Sequence, residues 1–150
     1  MPKRNASAVW EGVLKSGKGR MKLGRTGYEG PYSFASRFEE GAGTNPEELI
    51  GAAHAGCFSQ ALSLELEQAG HPPNSVSTTA TVHLEPEGEG FAIKRILLDT
   101  RADVPGISEG DFHKIAESAK TGCPVSKALA GVQIDRSEEH TSELQSLLII

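Results

Sequence analysis

The stretch Thr44–Pro73, TNPEELIGAAHAGCFSQALSLELEQAGHPP, decides the fold. Asn45 is a strong helix N-cap, and Pro46 suits the first helical position because its missing N–H would have no partner there. Glu47 and Glu48 fall in the first turn, where the helix dipole favours carboxylates. Glu48 lies three residues after Asn45, the spacing of a capping box. Gly70 and then Pro72-Pro73 stop the helix. The spacing therefore predicts one helix over Asn45–Ala69, about 36 Å long. Leu49, Ile50, Ala52, Ala53, Ala55, Cys57, Phe58, Ala61, Leu62, Leu64 and Leu66 wrap most of its circumference. A helix apolar nearly all round is a buried helix. Gly51, Ala55 and Gly56 permit close approach by another backbone. A chain of 150 residues has difficulty burying such a helix alone. A sheet wrapped around it, or a second subunit, would do so.

Strand patterns lie on both sides. Toward the N-terminus, Val9-Trp10 and Val13-Leu14 flank Glu11-Gly12, and Ser16–Gly19 supplies turn chemistry. Arg20–Leu23 reads as the return strand. Tyr32–Phe38 alternates and reads as a further strand ending near Arg37, followed by a Gly-rich loop, Glu39–Thr44. Toward the C-terminus, Val76–Leu84 alternates with Thr78, Ala80, Val82 and Leu84 on one face. Pro86–Gly90 reads as a turn and Phe91–Ala102 as the partner strand of a hairpin. Pro105-Gly106 ends it, and Ser108 caps a helix over Glu109–Lys120 that buries Phe112, Ile115, Ala116 and Ala119. Gly122 breaks that helix. Pro124 opens a short one to Leu129 with Cys123 at its N-cap, and Val132–Asp135 begins a last strand. The fold class is α+β.

Hydrophobic residues make up 37% of the chain and charged residues 23%, the composition of an ordinary globular protein. The net charge of −5 argues against nucleic acid or an anionic membrane as partner, and 5% aromatics argue against base-stacking platforms. The helical stretch free of Asp, Glu, Lys and Arg, Leu49–Leu64, is shorter than the roughly 20 residues of a membrane span. No apolar run follows the basic residues near Met1, so no signal peptide is expected and the cytoplasm is the expected compartment. RSEEHTSELQS, Arg136–Ser146, resembles a sequencing-adapter oligonucleotide translated in frame. The expectation is one domain over residues 1–135, with 136–150 a non-native tail that cuts the last strand short.

Two cysteines are too few for a disulfide scaffold, leaving two core residues, a redox couple or part of a metal site. Cys57 sits mid-helix in apolar surroundings, where burial raises a thiol's pKa, so by itself it reads as an inert core residue. A fixed positive charge would make it reactive. Arg37 is the candidate, with Glu47 able to orient it if the intervening loop folds back. The alternative is a solvated Arg37 and a Glu47 that serves the helix dipole. Cys123, at a helix N-cap, would meet unpaired N–H groups, which suits an exchanging thiol; it could equally be a cap that happens to be Cys. His54 shares a helix face with Cys57, and with Cys123 and His113 the pair could form a Cys₂His₂ set. There is no CxxC and no finger spacing, so no metal and no cofactor are expected. His54 reads instead as a packed or hydrogen-bonded helix residue.

TNPEELIGAAHAGCFSQAL, Thr44–Leu62, and TGCPVSKAL, Thr121–Leu129, resemble the two cysteine motifs of the OsmC/Ohr family, and SRFEEGAGTNPEE, Ser36–Glu48, resembles its arginine loop. The likeness is closest to the osmotically inducible OsmC branch and covers Ala6–Asp135. It implies an OsmC/Ohr-like fold, a β-sheet wrapped around a long central helix in an intertwined homodimer. It also implies a thiol-dependent peroxidase of organic hydroperoxides in stress defence. In that reading Cys57 is the peroxidatic cysteine and Cys123 the resolving one. Arg37 stabilises the thiolate and the peroxide oxygens, and Glu47 bonds to Arg37. A dithiol reductant, a lipoyl protein in Ohr-type relatives, resets the pair. The competing reading is a non-enzymatic stress or ligand-binding dimer with structural cysteines.

Overall fold

Six strands and four helices follow in the order β1 (Ala6–Glu11), β2 (Lys18–Leu23), β3 (Glu29–Tyr32), α1 (Phe34–Phe38), α2 (Pro46–Gln68), β4 (Ser75–Glu87), β5 (Gly90–Asp103), α3 (Glu109–Gly122), α4 (Pro124–Ala128) and β6 (Gln133–Thr141). They come from a computed structural model that describes residues 2–25 and 27–141. The chain divides into two units, Met1–Leu49 and Ile50–Ile150, and α2 begins in the first and continues through the second.

In the first unit β1, β2 and β3 form an antiparallel sheet in that order. Trp10 and Tyr32 face each other across β2, with ring centroids 5.3 Å apart. Gly19 lies between them: a Cβ there would come within 2.5 Å of the Tyr32 ring and 2.7 Å of Trp10, so the aromatic contact demands glycine. The chain then departs from the alternation that suggested a strand over Tyr32–Phe38. β3 ends at Tyr32 and α1 follows, because the Ser33 hydroxyl accepts the Ser36 N–H while the Ser36 hydroxyl accepts the Ser33 N–H. Two serines three apart form a capping box, which outweighs a weak alternation that had no strongly apolar face.

In the second unit β4 and β5 pair antiparallel from Ser75↔Asp103 to Glu87↔Gly90, a longer hairpin than the sequence suggests. β6 adds to β5 in parallel, from Arg95↔Gln133 to Asp103↔Thr141. The last strand thus runs six residues beyond Asp135, through Arg136–Thr141; the remainder of the expected tail, Ser142–Ile150, lies outside the described residues. The core joins Phe58, Leu62 and Leu66 of α2 to Ile96 and Leu98 of β5 and to Phe112, Ala116 and Ala119 of α3. Each large side chain fully removed from water contributes about 1.5–3 kcal/mol. Ile115, expected on the buried face of α3, packs at the edge of this cluster. Gly51 lets α2 approach β4, since a Cβ there would meet Val82 Cγ2 at 3.3 Å.

Within the chain α2 buries one stripe, Gly51, His54, Phe58, Leu62 and Leu66, spaced three or four residues apart. The opposite stripe, Ala52, Ala53, Gly56, Gln60 and Leu64, is exposed, Leu64 by 53%. No helix among the described residues is long and apolar enough to cross a membrane.

Candidate active site

Four residues singled out from the sequence form two contacting pairs, one in each unit. In the first unit Arg37 meets Glu47 through both carboxylate oxygens: Nε donates to Oε1 at 3.0 Å and an Nη to Oε2 at 2.9 Å. This fork-to-fork geometry gives direction as well as energy. The loop does fold back, and the bonds that close it are local. The Ser36 hydroxyl donates to the Thr44 carbonyl at 2.7 Å, and the Asn45 amide donates to the Ser36 carbonyl at 3.0 Å. Asn45 Oδ1 meanwhile caps α2 by accepting the Glu48 N–H at 2.8 Å. One buried asparagine therefore ties α1, which carries Arg37, to the first turn of α2, which carries Glu47. Glu47 is buried, while Arg37 remains about a third exposed and lies against the Phe38 ring, 5.3 Å from its centroid. A cleft of about 170 Å³, lined by Trp10, Leu14, Tyr32, Phe34 and Phe38, opens beside Arg37.

In the second unit the Cys57 and Cys123 thiols, both free, lie within hydrogen-bond reach of each other. α2 supplies Cys57, half-buried; Cys123 is fully buried at the junction of α3 and α4. Cys123 is the N-cap of α4, as the sequence suggests, but its side chain makes no capping hydrogen bond of ordinary geometry. The Ser126 and Val125 amides and the Ser126 hydroxyl nevertheless lie close enough to favour a negative sulfur. The two sulfurs consequently part in acidity. Burial pushes the Cys57 thiol up, and the bond it gives to Cys123 pushes it further. Burial opposes ionisation of Cys123 too, but the bonds from Cys57 and Ser126 outweigh it and bring the thiol down. Of the two, Cys123 is therefore the thiol that ionises more readily, with Cys57 placed to donate a hydrogen bond to it. A cleft of about 330 Å³ opens on Cys57, walled by Ala61, Leu64 and Pro124 and edged by Gln60 and Glu65.

His54 is fully buried one turn before Cys57, and its Nε2 lies 2.8 Å from Ser126 Oγ. It is the hydrogen-bonded helix residue expected. Ser126 was not singled out from the sequence. Its only local signal is its position three residues after an N-cap cysteine, where a side chain can turn back toward the cap. His113, the other histidine weighed for a metal, bonds to Glu138 at 2.7 Å. Among the described residues no group of three or more His, Cys, Asp or Glu side chains is placed to hold a metal ion.

A helix carrying one thiol against a second thiol at a helix junction, within an α+β fold, is an arrangement in which a disulfide can form and be reduced by exchange. The profile of the OsmC-like protein family matches residues 39–137, and the chain belongs to that family. Peroxiredoxin OsmC of Escherichia coli strain K12 is 51% identical over 128 residues, spanning 84% of this chain and 89% of that protein. The organic hydroperoxide resistance protein of Xanthomonas axonopodis pv. citri is 32% identical over 92 residues, 61% of this chain and 63% of its own length. The fold matches the crystal structure of OhrB, an organic hydroperoxide resistance protein of Bacillus subtilis, with a TM-score of 0.71 at 21% identity, covering 90% of this chain and 98% of that one. An OsmC-like protein from Mycoplasma pneumoniae matches equally, with a TM-score of 0.71 at 16% identity over 93% of this chain and 98% of that one.

Proposed function

We propose that this chain is a cytoplasmic thiol peroxidase that reduces organic hydroperoxides to alcohols in oxidative or osmotic stress defence. The observation that carries the reading is the Cys57–Cys123 contact beside an apolar-walled cleft. The names of its relatives, a peroxiredoxin and hydroperoxide resistance proteins, point the same way. Cys57 gives up its proton and its thiolate attacks the terminal peroxide oxygen. The O–O bond breaks, the alkoxide leaves and takes a proton, and Cys57 becomes a sulfenic acid. Cys123 then displaces the hydroxyl from sulfur to give a disulfide and water. A dithiol reductant, for which a lipoyl protein is our candidate, restores both thiols by exchange. Arg37, aimed by Glu47, is assigned to stabilising the Cys57 thiolate and the peroxide oxygens. A guanidinium suits that work because it keeps its charge when partly desolvated.

Two further assignments belong to this reading. The protein acts as a homodimer whose second subunit covers the exposed stripe of α2, and no nucleic acid, membrane or metal takes part. Residues 1–135 are assigned to one domain and the adapter-like residues from Arg136 onward to a non-native tail, whose first residues, Arg136–Thr141, prolong β6 alongside β5. Ending the chain with a relative's C-terminal strand in their place should then raise stability.

The test is one equivalent of cumene hydroperoxide added to the reduced protein, followed by intact-mass and peptide mapping. Loss of two hydrogens, mapped to a Cys57–Cys123 link, is the expected result. Two unreacted thiols in a folded sample would return both cysteines to the core and favour a ligand-binding protein.

A further inference from the structure

Among the described histidines only His54 is fully buried, and among the described residues no group reaches its Nδ1. Burial disfavours the charged ring and holds its pKa down, so the imidazole is neutral and carries a single N–H. On Nδ1 that hydrogen would be a buried donor with no acceptor, which folded proteins almost never tolerate. On Nε2 the unpartnered atom is a lone pair, a lesser loss. The Nε2–H tautomer is therefore the one this surrounding selects, and it donates to Ser126 Oγ at 2.8 Å. With its oxygen so engaged, the Ser126 hydroxyl has its own hydrogen left to give. The Cys123 sulfur is in reach of that hydroxyl, and Ser126 is itself only 7% exposed, so water competes little for it.

We propose that His54 fixes Ser126 as a hydrogen-bond donor to Cys123, and that this positioning pair keeps Cys123 poised to attack as a thiolate once Cys57 is oxidised. The inference rests on the dithiol peroxidase reading above. The step it serves is closure of the disulfide. The Cys123 thiolate attacks the Cys57 sulfenic sulfur, the S–S bond forms and the S–O bond breaks. Hydroxide leaves and is protonated to water; the Cys57 sulfur is reduced and the Cys123 sulfur oxidised by the same electron pair. The pair serves reduction too. When a reductant thiolate attacks the Cys57 sulfur, Cys123 departs as the thiolate that Ser126 already stabilises, and a more acidic thiol leaves faster.

Two measurements test this. The first is the ¹⁵N spectrum of His54 in the reduced wild-type protein, which involves no substitution. A neutral ring protonated at Nε2 is expected, and protonation at Nδ1 overturns the proposal. The second compares wild type, His54→Phe, Ser126→Ala and Ser126→Thr after one equivalent of cumene hydroperoxide. Trapping with dimedone reports the sulfenic acid, and loss of two hydrogens reports the disulfide. Ser126→Ala and His54→Phe, which remove the hydroxyl and the ring N–H, are expected to slow closure relative to sulfenic acid formation by about tenfold or more, with Ser126→Thr restoring the ratio. An unchanged ratio, or equal loss of both steps, leaves the pair merely structural and overturns the proposal. If wild type forms neither sulfenic acid nor disulfide, the peroxidase reading fails and takes the closure role with it, while the ¹⁵N result still decides the His54–Ser126 arrangement.

Discussion

Arg37 and Glu47 separate a catalytic role from a structural one, because their pair is buried at one end only. Arg37→Ala removes a guanidinium that is already about a third exposed, so the stability loss is expected to be about 1–2 kcal/mol, mostly from leaving the Glu47 carboxylate unpartnered. The loss in kcat/KM with cumene hydroperoxide is expected to be on the order of 10²-fold or more, the scale of removing one preorganised donor from a developing oxyanion. Losses that match when both are expressed as free energy would make Arg37 a structural residue. Cys123→Ser is expected to leave Cys57 able to react once but to carry it on to sulfinic acid under repeated peroxide, read as a gain of two oxygens on the Cys57 peptide. His54 adds a pH dependence. Burial lowers its pKa in the folded protein, so the unfolded chain binds the proton more readily. Native stability should be insensitive to this group above about pH 6.5 and should fall as pH drops below it. Urea unfolding at pH 7.5 and pH 5.5 measures the difference, and His54→Gln should shrink it. An identical difference in the variant would move the effect to the carboxylates.

At the scale of elements, Asn45 joins the fold to the site. Its Oδ1 caps α2 and its amide holds Ser36, so Asn45→Ala loses a cap worth about 0.5–2 kcal/mol and frees the segment that carries Arg37. Peroxidase activity is expected to fall with stability here, and Asn45→Asp should recover the cap but not the bond to the Ser36 carbonyl. Chemical denaturation with parallel rates checks both; a variant with the lost cap but wild-type rates would detach the loop from catalysis. What was legible in the sequence follows the same division between local and distant forces. The bounds of α2, the Ser108 cap of α3, the Cys123 cap of α4 and the β4–β5 hairpin depend on neighbours along the chain, and each reads directly. α1 did not, because Tyr32–Phe38 offers an alternation, and only the Ser33–Ser36 bonds decide against it. The parallel pairing of β6 with β5 joins segments some forty residues apart, beyond the reach of any pattern read along one strand. The same holds for the site. Glu47 sits ten residues from Arg37 and its partnership could be anticipated, whereas Ser126 lies 72 residues from His54 and only folding brings them together.

At the scale of the molecule, α2 poses the problem that one chain leaves open. Its composition reads as apolar nearly all round, yet the folded chain buries the stripe from Gly51 to Leu66 and exposes the one from Ala52 to Leu64. The exposed stripe lacks the charge that a solvated helix face usually carries. It has small residues at Ala52, Ala53 and Gly56, which favour close helix approach, and a 53% exposed leucine where a surface helix would carry charge. In a homodimer these residues would stop being a cost, since a second copy of the same stripe buries them by symmetry. Sedimentation equilibrium of the wild-type protein is then expected to give twice the chain mass at micromolar concentration. Leu64→Lys is expected to raise the dimer dissociation constant by at least about tenfold, because it replaces buried apolar surface with a charge set near its own copy. The Cys57 cleft shares Leu64 as a wall, so the same variant also asks whether assembly and catalysis are linked. If raising the protein concentration restores both the dimer and the peroxidase rate, the working site needs two subunits. If the dimer returns and the rate does not, Leu64 acts on substrate directly. A wild-type protein that stays monomeric at all concentrations would sink the dimer and leave the exposed stripe of α2 without a partner.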